Sequence, residues 1–171
     1  MGLRDRVQER RGPEAIRYQM REKLMSIGDD SWIEDSNGQR AFKVDGKAVR
    51  VRDTFILKDM SGQEVAKIQE RMARVRDTME IERPNGNATV KKAMVGIRDR
   101  FSISVDGGAD LKAHGNLVDH EYTIERDGNT VATVSKKWFR VRDTYGVEIA
   151  LGEDVSLLLA ITVCIDSLTT P

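Results

Sequence analysis

The sequence predicts a mainly β protein: a closed antiparallel barrel of about twelve strands around a buried hydrophobic C-terminal α-helix. Three observations carry this. Turn signals recur at a nearly constant interval, the residues between them alternate apolar and polar, and one stretch near the C-terminus is apolar on every side.

Residues 1–16 are polar, rich in arginine and interrupted by Gly12-Pro13. Leu3 and Val7 alone make too thin an apolar stripe for an independent helix, so this part reads as a flexible charged N-terminal extension. The barrel domain is expected over residues 17–171, including a central helix at about 154–168. From Tyr18 onward the chain repeats. One family of turns reads Ser36-Asn37-Gly38, Met60-Ser61-Gly62, Pro84-Asn85-Gly86, Asp106-Gly107-Gly108 and Asp127-Gly128-Asn129. Asn-Gly, Gly-Gly and Asp-Gly pairs supply the positive φ angles of tight hairpins. A second family falls midway between them: Asp30-Ser31-Trp32, Asp53-Thr54-Phe55, Asp77-Thr78-Met79, Asp99-Arg100-Phe101, His120-Glu121-Tyr122 and Asp143-Thr144-Tyr145. Each family returns after about 20–24 residues, room for two short strands and two turns.

Between turns the period is two. Phe55 and Leu57, Met79 and Ile81, Phe101, Ile103 and Val105, Tyr122 and Ile124, and Tyr145, Val147 and Ile149 alternate with smaller or polar residues. The returning strands are lighter and include Ala41, Ala66, Ala88, Ala113 and Ala132. A propeller blade of four strands needs roughly twice this period. Twelve strands ~4.8 Å apart and tilted by ~40° instead close into a barrel of roughly 12 Å radius. Side chains alone do not fill such an interior, but a helix packed ~10 Å from the surrounding backbone does. Large residues on one strand of each hairpin and alanines on the other are expected to mesh around it.

The chain supplies one such helix. From Asp154 to Asp166 it runs through Leu157, Leu158, Leu159, Ala160 and Ile161 without interruption, then Val163 and Ile165. At about 100° per residue this run leaves no polar face. Val155 to Ile165 spans about 17 Å, against a hydrocarbon core of ~30 Å, so burial in protein is expected rather than a membrane crossing. Leu157, Leu158, Leu159, Ile161, Val163 and Ile165 are the predicted core of the barrel.

At 171 residues and 39% hydrophobic, the chain fits one domain with a sizeable core. The charge is +0, from 28 basic and 28 acidic side chains, so any pull toward an anionic partner must come from local patches. No nucleic-acid partner is expected. One cysteine, Cys164, excludes an internal disulfide and a multi-cysteine zinc site, and its place in the apolar run reads as a small buried hydrophobe. The N-terminus lacks the apolar core of a secretory signal, and Leu3-Arg4-Asp5-Arg6 after Gly2 lacks the serine or threonine of a myristoylation site. A cytoplasmic monomer is the expectation.

Gly128 to Phe139, then Asp143-Thr144-Tyr145, then the apolar run ending Cys164-Ile165-Asp166, closely resemble the LURP-one-related family. Tyr18 to Leu24, Trp32 to Val44 with its Asn37-Gly38 turn, and Gly62 to Ile68 resemble it as well. The resemblance covers about residues 17–168 and is most specific in its C-terminal third. It implies a fold like that of the Tubby C-terminal domain and the phospholipid scramblases, twelve strands around a hydrophobic C-terminal helix. Function follows only by analogy. Plant members are linked with defence, Tubby domains bind phosphoinositide headgroups on a basic outer surface, and scramblases are assigned calcium-dependent lipid movement. No calcium loop of Asp-x-Asp-x-Asp-Gly type is present.

Arg50-Val51-Arg52-Asp53, Arg74-Val75-Arg76-Asp77 and Arg140-Val141-Arg142-Asp143, with Gly96-Ile97-Arg98-Asp99 as a partial copy, are more charged than the family pattern. Buried unpaired carboxylates cost several kcal/mol each, so the aspartates are expected at turns on one rim, satisfied by Asx bonding and neighbouring arginines. The alternative is a rim of arginines presented to an anionic ligand. Lys91-Lys92 and Lys136-Lys137 lie on returning strands. One of each pair must face outward, while the other can snorkel toward a rim. They read as a solvated face or, together with Arg140 and Arg142, as a site for anionic headgroups. Asp166 is expected either to pair with a rim arginine or simply to end the apolar run.

No catalytic residue, metal or cofactor is expected. His114 and His120 have neither a metal spacing nor a nucleophile motif, and Asp119-His120-Glu121 are merely neighbours in a turn. The expected function is that of a non-catalytic binding or tethering module for anionic phospholipid headgroups at a membrane periphery. A protein-interaction scaffold with no lipid role is the alternative. A scramblase-like activity is a third, and needs the short helix to leave the barrel.

Overall fold

The computed structural model describes residues 15–21, 30–49, 52–71, 78–95, 98–139 and 143–169. Twelve strands are assigned: β1 (Ala15–Arg21), β2 (Ser31–Asp35), β3 (Arg40–Val49), β4 (Arg52–Asp59), β5 (Glu64–Glu70), β6 (Thr78–Glu82), β7 (Ala88–Val95), β8 (Arg98–Val105), β9 (Leu111–Asn116), β10 (Glu121–Arg126), β11 (Asn129–Ser135) and β12 (Thr144–Ala150). Helix α1 (Val155–Thr169) follows. β1 takes in Ala15 and Ile16, two residues before the expected boundary of the barrel, and residues 1–14 of the extension lie outside the described residues. Each strand pairs antiparallel with its neighbours in sequence, and β1 pairs with β12 to close the barrel.

The strands form where the turns permit. Asp127 and Gly128, with φ of 51° and 77°, make the two-residue turn that joins β10 to β11 with both central residues left-handed. The Asp59 carboxylate accepts the N–H groups of Ser61 (2.9 Å) and Gln63 (3.0 Å) to set the β4–β5 hairpin, and Asp35 does the same for Asn37 and Gln39. Just beyond such hairpins, register shifts leave Ala41, Val65 and Val131 as extra residues. Strict alternation fails there, which is why Val131 and Ala132 are both buried.

Large residues face small ones across the ladders, as the sequence implies. Leu57 lies in register with Ala66, Ile81 with Ala88, Phe101 with Ala113 and Ile124 with Ala132, and all eight are buried. The space this leaves is occupied by α1. Leu157, Leu158, Leu159, Ile161, Val163 and Ile165 are all buried, as are Ala160 and Cys164. Burial pushes the Cys164 thiol up, away from reactivity. The fifteen-residue helix is about 22 Å long. No helix among the described residues is long and apolar enough to cross a membrane.

Asp154 starts the helix. Its carboxylate accepts the Leu157 N–H and the Ser156 hydroxyl, both at 3.1 Å, and its other oxygen accepts Arg83 Nη1 at 2.6 Å. Burial disfavours the Asp154 carboxylate, but the bonds from Arg83, Leu157 and Ser156 outweigh it and hold its pKa below the ordinary range. Stability from a depressed carboxylate is complete above the unfolded value of about 3.9 and is lost as pH falls through the folded value. Asp154→Asn should therefore flatten the fall of Tm below about pH 4, and Asp154→Ala should cost about 1 kcal/mol at neutral pH. Thermal melts across the acid range test this: parallel acid limbs for wild type and Asp154→Asn would remove the role.

Candidate functional site

The helix gives the barrel two unlike rims. It starts beside the β6–β7 turn, where Arg83 meets Asp154, and ends beside the β9–β10 turn, where His120 meets Asp166. The tight hairpins therefore surround the helix start, and the second family of turns surrounds the helix end. Taken with the strand residue on either side, the helix-start connections carry Asp35, Asp59, Glu64, Glu82, Asp106, Asp110, Asp127, Glu153 and Asp154 against Arg40, Arg83 and Arg126. The balance reverses at the helix end. By their place in the chain, Arg21, Lys23, Arg50, Arg52, Arg71, Arg74, Arg76, Arg98, Lys136, Lys137, Arg140 and Arg142 belong to those connections, against Glu22, Asp29, Asp30, Glu70, Asp77, Asp119, Glu121 and Asp143. Counted along the sequence, the segments that join the strands are thus acidic for one family of turns and basic for the other, and of the twelve bases Lys23, Arg50, Arg74, Arg76, Arg140 and Arg142 lie outside the described residues.

Much of the Arg-x-Arg-Asp repeat, including Arg50, Arg74, Arg76, Asp77, Arg140 and Arg142, lies outside the described residues. Of the aspartates, Asp143 is exposed in a turn with φ of 59°, as expected of a rim position. Asp53 and Asp99 stand inside strands, in register with Ala48 and Met94. The Asx turns that the sequence suggested for this rim are found at the other, on Asp35 and Asp59.

The lysine pairs occupy different walls. Lys91 is exposed on the outer face of β7, while Lys92 is in register with Phe101 and so takes the inner side of the strand near its rim end. Lys136 and Lys137 begin the β11–β12 connection, four strands away around the ring. One patch combining all four lysines does not form, because β8, β9 and β10 stand between them. The second pair is well anchored. Glu121 accepts the Ser135 hydroxyl at 3.0 Å and the Lys136 N–H at 3.1 Å, and Ser135 Oγ in turn accepts the Lys137 N–H at 3.1 Å. Lys137 itself is exposed. Beyond it Trp138 and Phe139 fold back over Gly146, where a Cβ would lie 2.6 Å from the Trp138 ring. The Arg17 guanidinium, bonded to Glu148 at 2.7 Å, covers the same indole at 4.4 Å. Sequence reading placed the lysines but not this support, which depends on a glycine two strand positions from Glu148.

Asp166 meets His120 rather than simply ending the apolar run. His120 Nε2 lies 2.7 Å from Asp166 Oδ1, with both side chains buried, and its ring stacks on Tyr145 at 4.3 Å. Burial, and then the nearby Asp166 carboxylate, push the Tyr122 phenol above its ordinary range. A signal for this pair was present in the repeat: five copies of the second turn family carry aspartate where the fifth in order carries His120. An aspartate there would face Asp166 with like charge. The imidazole provides a hydrogen-bonding partner for a carboxylate that the helix C-terminus disfavours.

The sequence profile of LURP-one-related proteins matches residues 16–166. A Bacillus subtilis (strain 168) protein, the uncharacterized protein YxjI, is 30% identical over 150 residues, covering 86% of this chain and 90% of that one. A solved Arabidopsis thaliana protein matches in fold, with a TM-score of 0.69 at 18% identity over 93% of this chain and 94% of that chain. Repeat, barrel, central helix and profile agree: the chain belongs to the LURP-one-related family.

Proposed function

We propose that this protein is a non-catalytic, monomeric tethering module of the cytoplasm that binds anionic phospholipid headgroups through its helix-end rim. The division of charge in sequence between the two families of connections carries the reading. A basic rim facing an anionic surface and an acidic rim facing away give the barrel a preferred orientation, which a zero net charge alone does not. Lys136 and Lys137 stand at that rim on a connection braced by Glu121, and Arg140 and Arg142 continue the same connection in sequence. Lys91 and Lys92 act separately from them, across the intervening strands. A scramblase-like role finds no support in a helix buried continuously from Leu157 to Ile165.

Each base near an anionic surface contributes roughly 1 kcal/mol. Replacing Lys136, Lys137, Arg140 and Arg142 with glutamine should weaken vesicle binding by about a thousandfold and leave the melting curve nearly unchanged. Lys91→Gln should weaken it much less. Binding should fade with added salt, over a Debye length of ~8 Å at physiological strength. Co-sedimentation with neutral and anionic vesicles decides the matter. Wild-type protein that ignores highly anionic vesicles at low salt would sink the lipid reading and leave the protein-interaction scaffold.

A further inference from the structure

The barrel wall opens at one seam. β1 keeps register with β12 along its whole length, to Arg21 opposite Thr144, but its ladder with β2 ends after Tyr18 opposite Asp35 and Gln19 opposite Glu34. Beyond Gln19 the two strands part, and a cleft of about 390 Å³ lies between them. This size falls in the range of small-molecule sites, about 300–1,000 Å³. Unlike most such sites it is polar. Gln19, Arg21, Ser31, Trp32, Glu34 and Arg40 line it.

These groups have hydrogen-bonding capacity to spare. Among the described residues, no protein side chain takes up Gln19, Arg21 or Glu34. The charge balance is defined as well. Asp30 at the cleft edge is bonded to Lys43 at 2.9 Å, and Arg40 is held over the Trp32 ring at 4.2 Å. Two guanidinium groups then face one remaining carboxylate, Glu34, which leaves one positive charge in excess.

We propose that this cleft binds a hydroxylated phosphodiester. Its single negative charge matches the excess and is met by Arg21 and Arg40. Its hydroxyls donate to Glu34 and exchange hydrogen bonds with Gln19. A neutral polyol leaves the excess positive charge uncompensated, and a dianionic phosphomonoester adds a charge that Glu34 repels. A phospholipid headgroup and a soluble glycerophosphodiester share this chemistry. The lipid source rests on the membrane reading of the helix-end rim, whereas the soluble source stands without it.

The probe is glycerophosphoglycerol, titrated calorimetrically into the wild-type protein. The chain has two tryptophans, so Trp138→Phe leaves Trp32 as the fluorescent reporter of the cleft. Saturable binding with a matching change in Trp32 emission is expected. Arg21→Gln should weaken it at least about tenfold. Vesicles of phosphatidylglycerol and phosphatidylserine at equal surface charge separate the sources, with the hydroxylated headgroup preferred and the preference lost in Arg21→Gln. Soluble binding without vesicle binding keeps the cleft and removes the membrane reading. Equal binding to both vesicles, with no soluble binding into the millimolar range, removes the cleft and keeps the rim. Heat released with Trp32 silent and Arg21→Gln unaffected places the ligand elsewhere and overturns the proposal.

Discussion

Chains ended before Asp154 are expected to be insoluble. The truncation removes the whole of α1 and leaves Leu57, Ile81, Phe101, Ile124 and Val147 facing an empty interior. A buried leucine, isoleucine or valine contributes about 2 kcal/mol through removal from water. The six large apolar residues of the helix together amount to about 12 kcal/mol, comparable with the ~5–15 kcal/mol that holds a typical domain folded. Such areas overstate the gain somewhat, but the barrel wall loses its own burial at the same time. No rearrangement of twelve strands of this length closes the gap, because strand number and tilt fix the barrel radius. Expression of residues 1–153 followed by fractionation and circular dichroism checks the result. A soluble truncation with a cooperative melt would show that the wall packs on itself and that α1 is an accessory.

Leu158→Asp is expected to unfold the full-length protein. Leu158 is 1% exposed, so the substitution removes a packed side chain, worth about 3–5 kcal/mol in comparable cores, and places a carboxylate within the apolar core. The sum approaches or exceeds the stability of a typical domain. Val155→Asp provides the contrast. Val155 is only half-buried in the first turn, where a negative charge interacts favourably with the helix N-terminus, so its cost should be small. Melting both variants beside wild type tests the pair. An unchanged Tm for Leu158→Asp would mean that this face of the helix meets solvent.

The fold was legible because each of its causes is local. Positive-φ turn pairs, two-residue alternation between them and a helix with no polar face are all written in short stretches, and together they leave one way to fill a twelve-stranded barrel. The inward positions of Phe55, Leu57, Met79, Ile81, Phe101, Ile103, Tyr122 and Tyr145 followed from alternation alone. Alternation failed at Ala41, Val65 and Val131, where the register shift belongs to a pair of strands rather than to either one. The lysine pairs looked like one site because each was read within its own strand, and ring order set them on separate walls.

The division of charge was available once the two turn families were assigned to opposite ends. What only the tertiary structure decided were the partners. Asp166 and His120 are forty-six residues apart and meet because the helix returns through the barrel to the β9–β10 turn. The cleft beside Arg21 and Ser31 exists because β1 follows β12 at the point where it leaves β2. Sequence period determines which way a side chain points, since that is a property of one strand. Which side chain it meets depends on closure of the sheet, where Ala15–Arg21 pairs with Thr144–Ala150 from the far end of the chain.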